Sequence, residues 1–223
     1  MVSRFALELI LLGLAWAATF AVRPWRLLRA GAGPSPLLTP LLAALTIVPF
    51  LWAWPGWSAL PLALRWSGAP LAVLTLGWPL AVPVLTFAGL STMVTAHASF
   101  VQALSTTVWA GLLPATLVLV LGHAVRKALG PHPVAYMFGR AFFVPMAALA
   151  SCGFAAAALG PGLHGPTAEL QHMAIALLAM GEASWSCAIV SLLVAYRPQW
   201  LATWSNTMYF GRPVRARVEA RRR

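Results

Sequence analysis

The sequence predicts an all-α integral membrane protein: a polytopic bundle of about seven transmembrane segments, the third short, with the N-terminus outside and the C-terminus cytoplasmic. Three observations predict it. Of 223 residues, 61% are hydrophobic and only 9% are charged, against about 45–50% and about 25% in soluble domains. Apolar runs near the length that spans a bilayer, about 20 residues, recur along the chain. Basic residues collect in a few of the breaks between them, as they do in cytoplasmic loops. The chain reads as one transmembrane helical domain over 1–211 and a basic cytoplasmic tail over 212–223.

The first segment is 5–22. It has Arg4 in front and small residues near its end, like a signal peptide, but Arg23, Arg26 and Arg29 follow at once. Charges there hold that end in the cytoplasm, so the segment is read as an uncleaved span. A Gly/Pro-rich loop at 31–36 leads to the second segment, 37–54, which Pro55-Gly56 ends as a turn. The stretch 59–90 reads as one span or as two, broken near Gly77-Trp78-Pro79. Proline is favoured at a helix start because its missing N–H is not needed there. The later segments are 102–125, 134–159 and 168–195.

Charge decides the ambiguous stretch. The basic breaks are 23–29, 126–127 and the tail from Arg197, with 3, 2 and 7 basic residues. They share one side only if two segments, 59–76 and 78–94, lie between Trp54 and Gln102. Twelve of the 15 basic residues then face the cytoplasm, and the outer loop 160–167 carries no Lys or Arg. Tryptophans fit an interfacial belt: Trp52, Trp54 and Trp57 at the outer end of the second segment, Trp25, Trp200 and Trp204 at the inner face.

The charges also exclude chemistries. The four acids are Glu8, Glu169, Glu182 and Glu219, and there is no Asp. That removes aspartyl proteases, aspartyl-phosphate pumps and Walker-type ATPases, and no phosphate loop or HExxH helix occurs. The only nucleophile-like signal, Ser91 with His97 six residues later in a loop, does not make an intramembrane dyad. No enzyme activity is expected. The net charge of +11 is explained by loop positions, and no nucleic-acid partner is expected. The tail, with six Arg and one Glu over 212–223, suits anionic headgroups or sets topology.

Glu8, Arg65, Arg140 and Glu182 fall within apolar segments. Such groups are costly in a bilayer, so they face the bundle interior and find partners. The topology places Glu8 and Arg65 at similar depth near the outer surface and predicts that they pair; Arg140 is expected to reach part of the way to Glu182. Their role is either a structural ion pair or a substrate path. On the outer side, Glu169 and His172 are i, i+3 and share a helix face. With His164 and His97 they form a candidate transition-metal capture site, since imidazole suits nickel, cobalt, copper or zinc. In the sixth segment small residues run from Ala147 to Ala158, either for close packing within the chain or for a partner helix.

Several local patterns resemble one family. They are Leu76-Gly77-Trp78-Pro79-Leu80-Ala81, Tyr136-Met137-Phe138-Gly139-Arg140-Ala141-Phe142-Phe143, Glu182, and the ending Leu193-Val194-Ala195-Tyr196-Arg197-Pro198-Gln199-Trp200-Leu201-Ala202-Thr203. In order and spacing they are similar to a short bacterial branch of membrane permeases of energy-coupling-factor ABC transporters, akin to CbiM-type cobalt/nickel permeases. The resemblance covers roughly 64–209. It implies a compact bundle in the inner membrane with an outward N-terminus, a transmembrane coupling protein and ATPase subunits as partners, and a cobalt or nickel ion as cargo. In the metal-transporting relatives the N-terminal amine, a His at position two and a later His bind the metal. This chain has Val2 and, at the later position, Arg65, which offers no lone pair to a metal. A scaffold or assembly factor of the same fold that has lost the metal site is the alternative.

Overall fold

The computed structural model describes residues 4–28, 35–54, 65–159 and 166–210. His164, Trp57 and the basic tail at 212–223 lie outside the described residues. Among those described, all regular structure is helical. The helices are α1 (Arg4–Val22), α2 (Leu38–Ala53), α3 (Ala69–Leu76), α4 (Trp78–Thr95), α5 (Phe100–Leu129), α6 (Ala135–Leu159), α7 (Pro166–Tyr196) and a short α8 (Asn206–Tyr209). Five of them, α1, α4, α5, α6 and α7, are long and apolar enough to cross a membrane. Large apolar side chains such as Leu14, Phe20, Val94, Leu177 and Trp185 stay exposed on them. Outward Leu and Trp at this density suit lipid, not water, and mark a membrane-embedded protein.

α4 is the hub. It packs against α1, α2, α3 and α5 and buries a broad arc, from Leu80 and Ala81 to Ala88 and Thr92, while Phe87 and Leu90 stay exposed. Its lack of a polar face is what central burial requires. Gly89 sets its distance from α5: a Cβ there would lie on the Thr107 hydroxyl. α1 shows the opposite pattern. Only Glu8, Ala15 and Thr19 are buried, with Leu11, Leu12 and Trp16 partly buried beside them, a stripe that faces α4 and α5 while most of the helix is exposed.

Two prolines shape α5 and α6. A proline lacks the N–H that the carbonyl four residues earlier needs. Thr107–Leu112 in α5 winds as a π-helix just before Pro114, and Ala135–Phe143 in α6 does so before Pro145. The wider turns re-pair the backbone: Leu113 N–H reaches Val108 O and Val144 N–H reaches Gly139 O.

The third predicted segment, 59–76, is corrected by the fold. Residues 65–68 are not helical, and the helix begins only at Ala69. Gly68 takes φ +68°, a left-handed conformation that starts α3 abruptly. α3 is eight residues long and seven of them are buried. Gly77, with φ +78°, then turns the chain into α4 with Pro79 in its first turn, which is the break expected at Gly77-Trp78-Pro79. The small residues of the sixth segment serve packing within the chain in part. Ala148 and Cys152 are buried, and Gly153 lets Ile175 of α7 approach, while Ser151 and Ala155 face outward.

Candidate functional site: buried charges around a short helix

α3 leaves backbone groups at both ends that the apolar interior cannot hydrate. In such surroundings each must find a protein partner. At its start, Ser67 N–H donates to Glu182 Oε2 at 2.8 Å and Gly68 N–H donates to Oε1 at 2.7 Å. The α7 carboxylate thus accepts from the N-terminus of α3, where the helix dipole favours negative charge. Ser67 is a junction. Its carbonyl accepts from Trp52 Nε1 at 2.9 Å, and its hydroxyl donates to Ala110 O and accepts from Ala69 N–H. Ala110 is four residues before Pro114, so its carbonyl has lost its α-helical donor and Ser67 supplies one. One dipeptide therefore ties α2, α3, α5 and α7 together.

At the other end the chain after α7 returns to α3. Ala202 N–H donates to Thr75 O at 2.8 Å, a carbonyl that Pro79 cannot serve. The Thr203 hydroxyl donates to Leu74 O at 2.7 Å. Its one proton is then committed, so Tyr136 must donate to Thr203 Oγ1 across their 2.7 Å contact. Trp204 and Tyr209 stack at 4.3 Å and both meet the Tyr136 ring edge-on.

A second cluster lies where α1, α5 and α6 meet. Arg4 Nε and Trp109 Nε1 both donate to Glu8 Oε1, at 3.0 and 2.8 Å. Arg4 also donates to the Ser105 hydroxyl and to Leu159 O. Arg65 donates to the Thr106 hydroxyl at 3.3 Å. Two guanidinium groups are thus anchored on adjacent residues of α5.

The predicted Glu8–Arg65 pairing is corrected. Glu8 pairs with Arg4 one turn earlier, not with Arg65. The reason is local: i, i+4 spacing on one helix brings the two together without tertiary cost. Glu182 is occupied by the α3 amides and does not meet Arg140, whose guanidinium lies 5.5 Å from the Tyr136 ring centre. Arg4, Ser67, Trp52, Trp109 and Thr203 were missed. The Arg4–Glu8 spacing was readable; the others needed the fold. Two tryptophans also change role. Trp52 and Trp204 are buried, so they are core and junction residues and not members of the interfacial belt.

The outer metal candidates are dispersed among the described residues. His97 is exposed with φ +50° in the α4–α5 connection. Glu169 and His172 are exposed on α7, with His172 against the Phe154 ring. Among the described residues no three His, Cys, Asp or Glu side chains stand close enough to hold a metal. Ser91 donates to Ala88 O at 2.7 Å and has no histidine beside it in the described structure.

No family model, characterised protein or solved structure matches this chain. The functional reading rests on the geometry above and on the motif resemblance.

Proposed function

We propose that the protein is a multi-pass permease of the cytoplasmic membrane, the substrate-capture subunit of an energy-coupling-factor-type transporter. The observation that carries this reading is α3: an eight-residue helix enclosed in the bundle, its N-terminus held on a buried carboxylate. Discontinuous helices that end inside a membrane are the usual frame of transporter sites. Seven segments are proposed, with α3 as the short third and the N-terminus outside. Two contacts support that alternation. Arg4 donates to Leu159 O, bringing the start of α1 to the end of α6. Tyr136 and Thr203 bring the start of α6 to the segment after α7.

The proposed cargo site is the start of α5, where Arg4, Glu8 and Trp109 meet and Arg65 is held on Thr106, and the two guanidinium groups there suit an anionic or zwitterionic small solute. Cobalt or nickel, the cargo carried by the resemblance, is the alternative. It requires His164 to join Glu169 and His172. A second function, the non-transporting scaffold, is favoured by one observation: both buried carboxylates already have hydrogen-bond donors within the chain.

The test is purification of the full chain from its native membrane after mild cross-linking. A permease should co-elute with a coupling protein and vanadate-sensitive ATPase activity. Elution with another membrane complex and no ATPase would support the scaffold. Metal analysis of the same tag-free sample decides cargo. Stoichiometric cobalt or nickel, lost in a His164→Ala/His172→Ala double variant, would replace the anion reading with the metal one.

A further inference from the structure

At the α5–α6 end of the bundle Arg126, Gly130, Tyr136, Arg140 and Tyr209, among others, meet around a tight crevice with no room for a water molecule as it stands. Arg140 is only 8% exposed, and its Nε has no hydrogen-bond partner among the described residues. Gly122 makes its place on α5: a Cβ there would come within 3.0 Å of that Nε. A guanidinium stays charged at any working pH, and buried charges are ordinarily paired. The Tyr136 face offers only partial compensation. Among the described residues the acids are committed or exposed elsewhere: Glu8 holds Arg4, Glu182 holds α3, and Glu169 is exposed in the first turn of α7. The half-buried Arg126 lines the same cleft and Lys127 follows it, and Leu129, Val134 and Phe138, near the lining residues in the chain, are exposed.

We propose that this cleft binds a phosphate-bearing anion between Arg140 and Arg126, with the Tyr209 hydroxyl as a further donor. Two forks of N–H donors match the oxygens of phosphate. The apolar flank at the bundle end favours the phosphodiester of an anionic lipid headgroup as the source, and the same chemistry would accept free phosphate. The crevice must open for the anion to enter, with Arg126 leaving its 3.2 Å contact with His123 Nδ1 to turn toward Arg140.

Thermal unfolding of the full chain in non-ionic detergent tests this at matched ionic strength. One arm adds inorganic phosphate, one adds phosphatidylglycerol and one adds phosphatidylcholine. A rise in midpoint of at least about 2 °C is expected with phosphatidylglycerol, absent in Arg140→Met and reduced in Arg126→Gln. A rise with phosphate as well would support the site with a free anion as ligand. No rise with either anion, an equal rise with phosphatidylcholine, or an undiminished rise in Arg140→Met would overturn it. If Arg140→Met does not fold, Arg140→Lys keeps the charge without the fork. It should raise the phosphatidylglycerol concentration needed for a given rise about tenfold, the worth of one charge-assisted hydrogen bond; an unchanged dose response would overturn the proposal.

Discussion

Glu182 and Arg140 are both ionisable residues in apolar helices, and both are more than nine-tenths buried. The fold treats them in opposite ways. Glu182 receives two backbone N–H groups at the start of α3, one on each oxygen. Arg140 has an aromatic face beside it and an Nε without an acceptor among the described residues. The difference separates two uses of a buried charge. A carboxylate whose donors are fixed by a helix terminus holds the architecture. A guanidinium whose Nε meets no acceptor among the described residues is where the proposed anion would bind.

The largest effect that would break this comparison is at Glu182. Glu182→Ala leaves two buried N–H groups without an acceptor and should cost about 3–5 kcal/mol, read as a fall in the thermal midpoint of the detergent-purified chain. Glu182→Gln keeps one acceptor oxygen and should fall between that variant and wild type. If Glu182→Ala unfolds like wild type, the α3 N-terminus is not held by this carboxylate. Next comes Trp52→Phe. It removes the donor to Ser67 O while keeping an aromatic ring, and should cost about 1–3 kcal/mol. At the far end of α3, Thr203→Val strips both the Leu74 and the Tyr136 partner, for about 1–2 kcal/mol. A loss equal to that at Glu182 would mean the two ends matter alike. The smallest effect is expected at Arg140. Without added anion, Arg140→Met should lie within about 1 kcal/mol of wild type or above it, because an apolar side chain of similar length removes an uncompensated charge. A large loss there would place Arg140 with Glu182 as an architectural residue.

The cluster on α1 sharpens the same point. Glu8 resembles Glu182 in burial, yet its ion partner comes from its own helix. Arg4 and Glu8 stand four residues apart, a spacing any helix brings together. That pair was therefore legible, although matching depth across helices pointed to Arg65 instead. Depth along a bundle can be inferred from where apolar runs begin. The direction in which a side chain leaves its helix cannot be inferred so, and Arg65 is not on a helix at all.

The sequence by itself determined that this is a helical membrane protein, because 61% apolar residues in long runs cannot be hidden in a chain of this size any other way. It also determined the break at Gly77-Trp78-Pro79, because glycine and proline act on the backbone locally. Only the tertiary structure decided which charges are compensated. The π-helical turns before Pro114 and Pro145 shift the phase of α5 and α6, so a regular helical wheel misplaces Ala110 and Arg140. The carbonyls freed by Pro79 and Pro114 were predictable as vacancies, but their donors, Ala202 N–H and the Ser67 hydroxyl, come from far along the chain. Which distant group meets a vacancy is set by how the helices pack, and that is a property of the whole bundle.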